Sequence, residues 1–204
     1  MGPKRVRITP GLREALEWLT LSRSVLGARV RSELAGNPFL GEEWPLPFPA
    51  SAPVDTDLIL VNWGRRPTVR LNREGVPMLR FSSHGGHGGD PASARRLQRR
   101  ARWVLVVLKR RAEILERVGQ AAVEAQLGYL DGQAEWPIPL AAAAVAKQIG
   151  VHPSTVSRVI RQKRLLAPRG VVDLQSLFGR SKAEARQAVR DLLASEAAHG
   201  RLTD

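Results

Sequence analysis

The sequence predicts a mainly α-helical fold with three parts: an N-terminal helical hairpin, a small β element plus a long helix, and a C-terminal helix-turn-helix domain. Apolar residues recur at helical spacing through several long stretches, whereas β-rich runs occur between residues 58 and 72. Ala146 and Gly150 stand four residues apart, the spacing that a helix-turn-helix needs at its tight crossing. Helix therefore dominates, with a short β element in the middle of the chain.

The first predicted element is an N-terminal helical hairpin. Thr9 suits an N-cap and Pro10 the first helical position, and apolar residues follow at helical spacing. Ser22 or Ser24 can cap the second helix, which the glycine, asparagine and proline at 36–38 end. A hairpin of this size has little core of its own, so its apolar stripe needs a partner.

A linker and three further elements are predicted in the middle of the chain. Proline and acidic residues dominate residues 41–57, which predicts an extended linker. The runs LILVNW and PTVRLN predict a β-hairpin, and the run VPMLRFSS can continue it. The glycine-rich stretch 83–93 is predicted to be a flexible break. One long helix with a strongly basic first part is expected from Ala94 to about Leu130, and a last helix over residues 182–198.

The composition points to a polyanionic partner. The formal net charge is +13 and the pI is about 11.5, which predicts attraction to nucleic acid first and to an anionic membrane second. A genomic bias toward arginine and alanine is the alternative explanation of this charge.

The chain has no cysteine, which excludes disulfides and cysteine-based zinc fingers. No apolar run approaches the roughly 20 residues that span a bilayer, so we expect a soluble protein.

No constellation of residues indicates catalysis or a cofactor. Neither a Ser/His/Asp arrangement nor a pair of carboxylates stands out. His84 and His87 form an H-x-x-H pattern, but a metal site needs further ligands, and a flexible glycine-rich linker is the simpler interpretation. We therefore expect no catalytic residue, no metal site and no cofactor.

Residues 142–161 match a helix-turn-helix template. The small side chain of Ala146 lets a second helix approach, Gly150 permits a left-handed turn, and Pro153 suits the first turn of that helix. No acidic residue occurs from Trp136 through Val172. An ordinary helical pair with a solvated basic face is the alternative. Short hydroxyls and cations suit base edges and phosphates in a major groove. The candidate DNA-binding residues are Ser154, Thr155, Ser157, Arg158, Arg161, Lys163, Arg164 and Arg169.

Four separate blocks of the chain form a recognisable set. They are ITPGLREALEWLTLSRSVLGARVRSELAGNPFL (Ile8–Leu40), TVRLNREGVPMLRF (Thr68–Phe81), ARWVLVVLKRRAEIL (Ala101–Leu115) and IGVHPSTVSRVIRQKRLLAPRGVVDLQSLF (Ile149–Phe178). In this order they resemble the bacterial RNA polymerase sigma-54 factor family. In that family, the N-terminal region begins with a T-P-x-L motif and ends with an N-P-(L/F)-L motif. A P-R-G run follows the family's helix-turn-helix.

The resemblance implies a dissociable, non-catalytic subunit of bacterial RNA polymerase. Its expected partners are promoter DNA, RNA polymerase core and an ATP-hydrolysing enhancer-binding activator that remodels the N-terminal region; its expected location is the bacterial cytoplasm, at the nucleoid, with no membrane partner. The implied activator-facing and melting-control residues are Leu12, Leu16, Leu19, Leu26 and Leu34. The implied core-binding residues are Arg102, Trp103, Arg110 and Arg111. For Trp103 the alternative is a place in the hydrophobic core, and for the arginines a solvated helix face.

The resemblance also suggests how the chain is organised. Residues 1–40 would be the activator-interacting helical region, 41–57 a proline-rich acidic linker, 58–135 a partial core-binding region, and 136–204 the helix-turn-helix DNA-binding region. The linker stands where the family has a large first core-binding subdomain, and the family's C-terminal A-R-R-T-V-A-K-Y-R-E box is missing. We therefore expect a shortened member. The alternatives are a stand-alone helix-turn-helix regulator, a non-functional truncated paralogue, or an adaptor that only captures activators.

Overall fold

A computed structural model describes residues 9–43, 55–62, 66–83 and 90–179. The predicted last helix at 182–198 and the two histidines at 84 and 87 lie outside these residues. Within the described ranges, no helix combines the length and apolar character needed to cross a bilayer. In the same ranges, no three His, Asp or Glu side chains are grouped so that they could hold a metal ion.

The N-terminal hairpin is present as predicted, with helices α1 (Pro10–Thr20) and α2 (Arg23–Gly36). Thr9 caps α1, because its side chain accepts a hydrogen bond from the Leu12 N–H at 3.3 Å. The apolar face of the hairpin packs against a long helix later in the chain and buries Trp18 and Val30. The partner that the sequence required is therefore this long helix.

Strands within the described residues form two sheets. In the first, β1 (Leu40–Glu43) pairs antiparallel with β4 (Met78–Phe81). The second has the order β3-β2-β5-β6 and consists of β2 (Leu58–Asn62), β3 (Thr68–Leu71), β5 (Arg164–Ala167) and β6 (Gly170–Asp173). The predicted β2–β3 hairpin is confirmed, and β2 also pairs parallel with β5 on its other edge.

Two expectations about the strands are wrong. The run VPMLRFSS does not continue the β2–β3 hairpin, because β4 pairs with β1 instead. Residues 41–43, predicted as part of an extended linker, belong to β1. Both errors concern pairing between segments that are distant in sequence, which local patterns do not specify.

The long helix α3 spans Pro91–Ala125. Asp90 caps it, since its carboxylate accepts the N–H groups of Ala92 at 3.2 Å and Ser93 at 3.0 Å. The prediction of one helix from Ala94 to Leu130 placed the helix correctly. However, α3 begins three residues earlier, and Gln126 separates it from the short helix α4 (Leu127–Leu130).

Helix α3 connects two hydrophobic clusters. Its first half packs with the hairpin and the β1–β4 sheet, where Val104 is completely buried. Its second half packs under the four-stranded sheet and against two short helices, α5 (Ala142–Ile149) and α6 (Pro153–Val159). Burial of this apolar surface is the main driving force that holds the helices and sheets together.

Candidate nucleic-acid interface

The turn between α5 and α6 has the geometry of a helix-turn-helix. Gly150 adopts φ +69° and ψ 40°, the left-handed conformation that glycine reaches without steric cost. The Val151 N–H donates to the Ala146 carbonyl at 3.0 Å, which closes the end of α5. Ala146 is buried at the crossing, as its size requires. The predicted Ala146/Gly150 arrangement is therefore observed.

Helix α6 begins with a cap that the sequence did not predict in detail. Nδ1 of His152 accepts the Ser154 N–H at 3.2 Å and lies 2.8 Å from Ser154 Oγ. Pro153 occupies the first helical position, where no N–H donor is needed. On the inner face Val156 and Val159 are buried against the core. These contacts fix which side of α6 faces solvent.

The outer face of α6 carries the polar side chains that were expected there. Ser154 and Ser157 are exposed, Arg158 is half-buried, and Arg161 is exposed just after the helix. Neither arginine has a carboxylate partner within the part of the chain that the structure describes. Both charges can therefore meet an external anion.

Two other candidate cations make contacts inside the protein. Arg164 pairs with Asp55 and lies 3.6 Å from Asp173 Oδ1. Arg169 stacks over the ring of Tyr129 at 4.4 Å and donates to the Tyr129 carbonyl at 3.0 Å. Both side chains remain on the surface, but these partners compete with any phosphate for their donors.

Lys163 is buried, so the expectation that it faces DNA is wrong for this structure. Its Nζ donates to the Arg161 carbonyl at 3.1 Å. Burial lowers the pKa of Lys163 to about 8, an effect that the nearby charge of Asp57 opposes. A lysine at this position of a basic turn is ordinarily exposed; the nonlocal approach of Asp57 could not be anticipated from local sequence.

Lys163 belongs to a buried charge cluster that sequence reasoning missed. Its other members are Asp57 and Arg111, which are also buried, and Arg23, which is half-buried. Asp57 Oδ2 accepts the Arg164 N–H at 3.1 Å, and Asp57 Oδ1 lies 4.0 Å from Arg111 Nη2. Burial raises the pKa of Asp57, against the lowering effect of the surrounding cations and this hydrogen bond. Burial lowers the pKa values of Arg111 and Arg23, and Asp57 opposes both shifts.

A buried glutamine holds the helix-turn-helix on α3. Nε2 of Gln126 donates to the carbonyls of Ile138 at 2.8 Å and Leu177 at 2.9 Å, and its Oε1 accepts the Ile138 N–H at 2.9 Å. The connector before α5 and the 3-10 helix Leu174–Leu177 are thereby tied to the end of α3. These hydrogen bonds fix the segments on either side of the helix-turn-helix relative to α3.

Comparison with known proteins identifies the family. The family model described as the sigma-54 DNA-binding domain matches residues 92–203, which is more than half of the chain. The chain belongs to the sigma-54 family.

Two sigma-54 relatives illustrate the extent of the similarity. The RNA polymerase sigma-54 factor of Azotobacter vinelandii is 32% identical over 157 residues, which covers 69% of this chain and 31% of that protein. The corresponding factor of Escherichia coli K12 is 30% identical over 146 residues, covering 63% and 31%. The chain thus spans about a third of the length of the curated relatives it matches.

A solved structure supports the fold of this sigma-54 family member. The crystal structure of Aquifex aeolicus sigmaN bound to promoter DNA aligns with 90% of this chain and 58% of that chain, with a TM-score of 0.51 and 20% identity. At this identity the likeness shows the fold alone. It agrees with the predicted class, a mainly helical chain with a small sheet region.

The sigma-54 resemblance assigned five leucines to an activator-facing surface, and the structure places them differently from one another. Leu12 is 44% exposed, whereas Leu16 and Leu34 are half-buried. Leu19 and Leu26 are buried in the two cores, so they are not available as contact residues in this conformation. The expectation is therefore wrong for Leu19 and Leu26, because these two side chains help to anchor the hairpin to α3.

Leu12 lies at a groove shared by α1, α3 and the start of α6. The groove has a volume of about 680 Å³. Its lining includes Leu12, Val106 and Thr155, of which Val106 is 66% exposed. Thr155, one of the candidate DNA-binding residues, is half-buried and lines this groove together with residues of α1 and α3.

The four implied core-binding residues also differ in how exposed they are. Arg102 and Arg110 are exposed, with Arg102 over the Phe81 ring at 5.3 Å and Arg110 3.4 Å from Glu113. Trp103 is half-buried and packs edge-on against Trp18 with ring centroids 6.2 Å apart. Arg111 is buried and donates to the carbonyl of Trp18, so its expected contact with polymerase is not available in this conformation.

Proposed function

We propose that this chain acts as a sigma-54-type transcription initiation factor that contacts promoter DNA through the outer face of α6. The observation that carries the proposal is the pair Arg158 and Arg161, which project beside Ser154 and Ser157 and have no carboxylate partner within the described residues. Arginine suits guanine edges and phosphates, and serine hydroxyls suit either. The Aquifex aeolicus sigmaN with which this chain shares its fold was crystallised bound to promoter DNA, which supports the same class of ligand here.

We also propose that the chain binds RNA polymerase core. The similarity to RNA polymerase sigma-54 factors supports this partner. Arg102 and Arg110 support it structurally, since both lie on the solvent side of α3 and can meet an acidic surface. The role is non-catalytic: the chain would position polymerase on DNA.

The groove at Leu12 is the proposed docking region for an ATP-hydrolysing activator. Its apolar residues Leu12 and Val106 are exposed although each belongs to a helix whose other faces are packed. Exposed apolar residues that flank a groove are typical of protein contacts. Activator dependence follows from the family resemblance and remains part of the proposal.

DNA binding is tested by a substitution on α6. Arg158→Ala should weaken binding to a specific promoter duplex by about 1–3 kcal/mol, because one charged base or phosphate contact is lost. Arg73→Ala is the matched control, since Arg73 is an exposed arginine in the β3–β4 turn. Fluorescence anisotropy at fixed salt measures both. Equal affinities for wild type and Arg158→Ala would reject α6 as the recognition helix.

Core binding is tested separately. Purified full chain and core polymerase should elute together from a gel-filtration column, and the double variant Arg102→Glu, Arg110→Glu should elute apart from core. The charge reversals would repel the acidic surface that we propose. If wild type binds DNA but fails to bind core at micromolar concentration, the stand-alone helix-turn-helix regulator replaces the initiation factor.

A further inference from the structure

We propose that the cavity between the start of α2 and the end of the α6–β5 turn binds a phosphate group. The cavity has a volume of about 980 Å³ and opens to solvent. Its basic and polar lining includes Arg23, Ser24, Arg31, Gln162 and Lys163. A volume of this order accommodates a small phosphorylated ligand. The cavity lies beside the proposed DNA-binding face, and two residues that the sequence assigned to that face, Lys163 and Arg164, line the cavity instead.

The charge balance at the inner end of the cavity favours an anion. Arg23, Lys163 and Arg111 surround a single buried carboxylate, that of Asp57. The other two carboxylates of the lining, Asp55 and Asp173, already pair with Arg164. Three cations therefore face two carboxylates, Asp57 and, near Arg23, Glu74, in a region where unpaired charge is costly. A phosphate supplies the missing negative charge.

Unsatisfied donors point to the same ligand. Nη1 of Arg23 donates to the Asn72 carbonyl at 2.7 Å. Its Nε and Nη2 are buried and have no hydrogen-bond acceptor among the described residues. Buried donors without an acceptor are rare in folded proteins, and an ion bound from outside the chain is one explanation for them. A phosphate oxygen is suited to a guanidinium because it can accept two parallel hydrogen bonds.

The start of α2 provides a second attraction for an anion. Ser22 stands at the N-cap of this 14-residue helix, but its side chain makes no capping hydrogen bond. The Ser22 hydroxyl instead lies 3.3 Å from the Ser24 hydroxyl. Both serines line the cavity, so the N-terminus of α2, which is the positive end of its helix dipole, lies at the cavity wall. Donors from α2 and from the α6–β5 turn would then meet around one phosphate.

Two sources of the phosphate share this chemistry. One is a free phosphorylated small molecule that enters the cavity. The other is the backbone of nucleic acid bound at α6, because Gln162 and Lys163 directly follow Arg161 in the chain. Stabilisation by pyrophosphate tests the phosphate site itself, and competition with DNA separates the two sources.

The first experiment measures stabilisation of the full chain by pyrophosphate against sodium chloride at equal ionic strength. The Tm of wild type should rise with pyrophosphate concentration. Arg23→Gln should weaken the apparent affinity about tenfold or more, because a charge-assisted contact is lost. Arg99→Gln, at an exposed position on α3, is the control and should behave as wild type. No rise in wild type, or the same rise in Arg23→Gln, overturns the proposal.

A second measurement covers the case in which Arg23→Gln does not fold. Hydrogen exchange of wild-type protein with and without pyrophosphate should show slowed exchange at residues 22–25 and 162–164. Those amides belong to the two segments that line the cavity. Unchanged exchange in both segments, at a pyrophosphate concentration that raises the Tm, would place the anion elsewhere and overturn the proposal.

The source is decided by DNA binding. If pyrophosphate competes with a promoter duplex and Arg23→Gln weakens that duplex, the site takes a backbone phosphate. If the duplex binds Arg23→Gln as it binds wild type while pyrophosphate stabilisation is lost, the site takes a free phosphorylated molecule. Arg158→Ala distinguishes this site from the DNA face, since it should retain full stabilisation by pyrophosphate.

Discussion

Lys163 shows how the role of one side chain depends on a partner far away in sequence. The basic run around it is typical of a DNA-contacting turn, yet the approach of Asp57 makes a buried position for the lysine tolerable. Arg111 is a second case, because its guanidinium holds the end of α1 through the carbonyls of Trp18 and Leu21. The local sequence identified both residues as cations, but it did not predict that they are buried inside the protein.

The burial of Lys163 predicts a pH dependence of stability. Its pKa is about 8 in the folded protein and near the ordinary value of 10.5 when unfolded. Between these values the unfolded chain binds more protons, so the contribution of Lys163 to the free energy of unfolding increases as pH rises from about 8 to 10.5. Urea denaturation should show this rise in wild type relative to Lys163→Met. Identical pH profiles for the two proteins would contradict it.

The left-handed turn at Gly150 leads to a second prediction about stability. Its φ of +69° is strained for a β-branched residue and tolerated by asparagine. Gly150→Val should lower the free energy of unfolding by about 1–2 kcal/mol or more, whereas Gly150→Asn should lose less. Chemical denaturation measures both variants. If the two substitutions cost the same, the left-handed turn is not the reason for the glycine.

At the scale of elements, the helix-turn-helix was predictable because its determinants lie within about 20 consecutive residues. The small residue at the crossing, the left-handed glycine and the proline at the helix start are all local signals. The β1–β4 and β5–β6 pairs were not predicted. Their strands have four residues each, and β1 and β4 meet only through nonlocal packing.

The contact between α3 and the four-stranded sheet depends on Gly119. A Cβ atom at this position would lie 2.4 Å from Leu58 Cδ1 and 3.2 Å from Val69 Cγ1. Gly119→Val should therefore destabilise the protein by about 1–3 kcal/mol through overpacking. Gly36→Val, at the end of α2 with open space around it, is the control. Thermal or urea denaturation should separate the two, and equal stabilities would show that the sheet can move away from α3.

For the whole molecule, the net charge of +13 predicted a polyanionic partner, but several cations among the described residues are engaged in contacts within the protein. Arg100 binds Glu14 and Glu33 and so joins α3 to both helices of the hairpin. The hydrogen bonds to Arg100 lower the pKa of Glu14. Total charge therefore overstates the number of phosphate contacts that this chain can make.

The salt dependence of DNA binding should reflect the smaller set of available cations. Each phosphate contact contributes about 0.9 to the slope of log K against log salt concentration. If Arg158 and Arg161 both contact phosphates, the double variant Arg158→Gln, Arg161→Gln should reduce the slope by about two. Arg73→Gln should leave it unchanged. Anisotropy titrations over a range of potassium chloride concentrations provide the measurement, and an unchanged slope in the double variant would argue against phosphate contacts at these arginines.

The parallel pairing of β2 with β5 has a consequence for synthesis on the ribosome. The hydrogen bond from the Arg164 N–H to Asp57 joins positions 107 residues apart. At ordinary translation rates, roughly 5 to 20 s pass between the emergence of these two positions. During that interval the nascent β2–β3 hairpin presents an open edge with Leu58 beside it, and such edges invite pairing with other chains. In the nascent chain, the β5-facing edge of β2 therefore stays without its native partner until residues 164–167 have been synthesised.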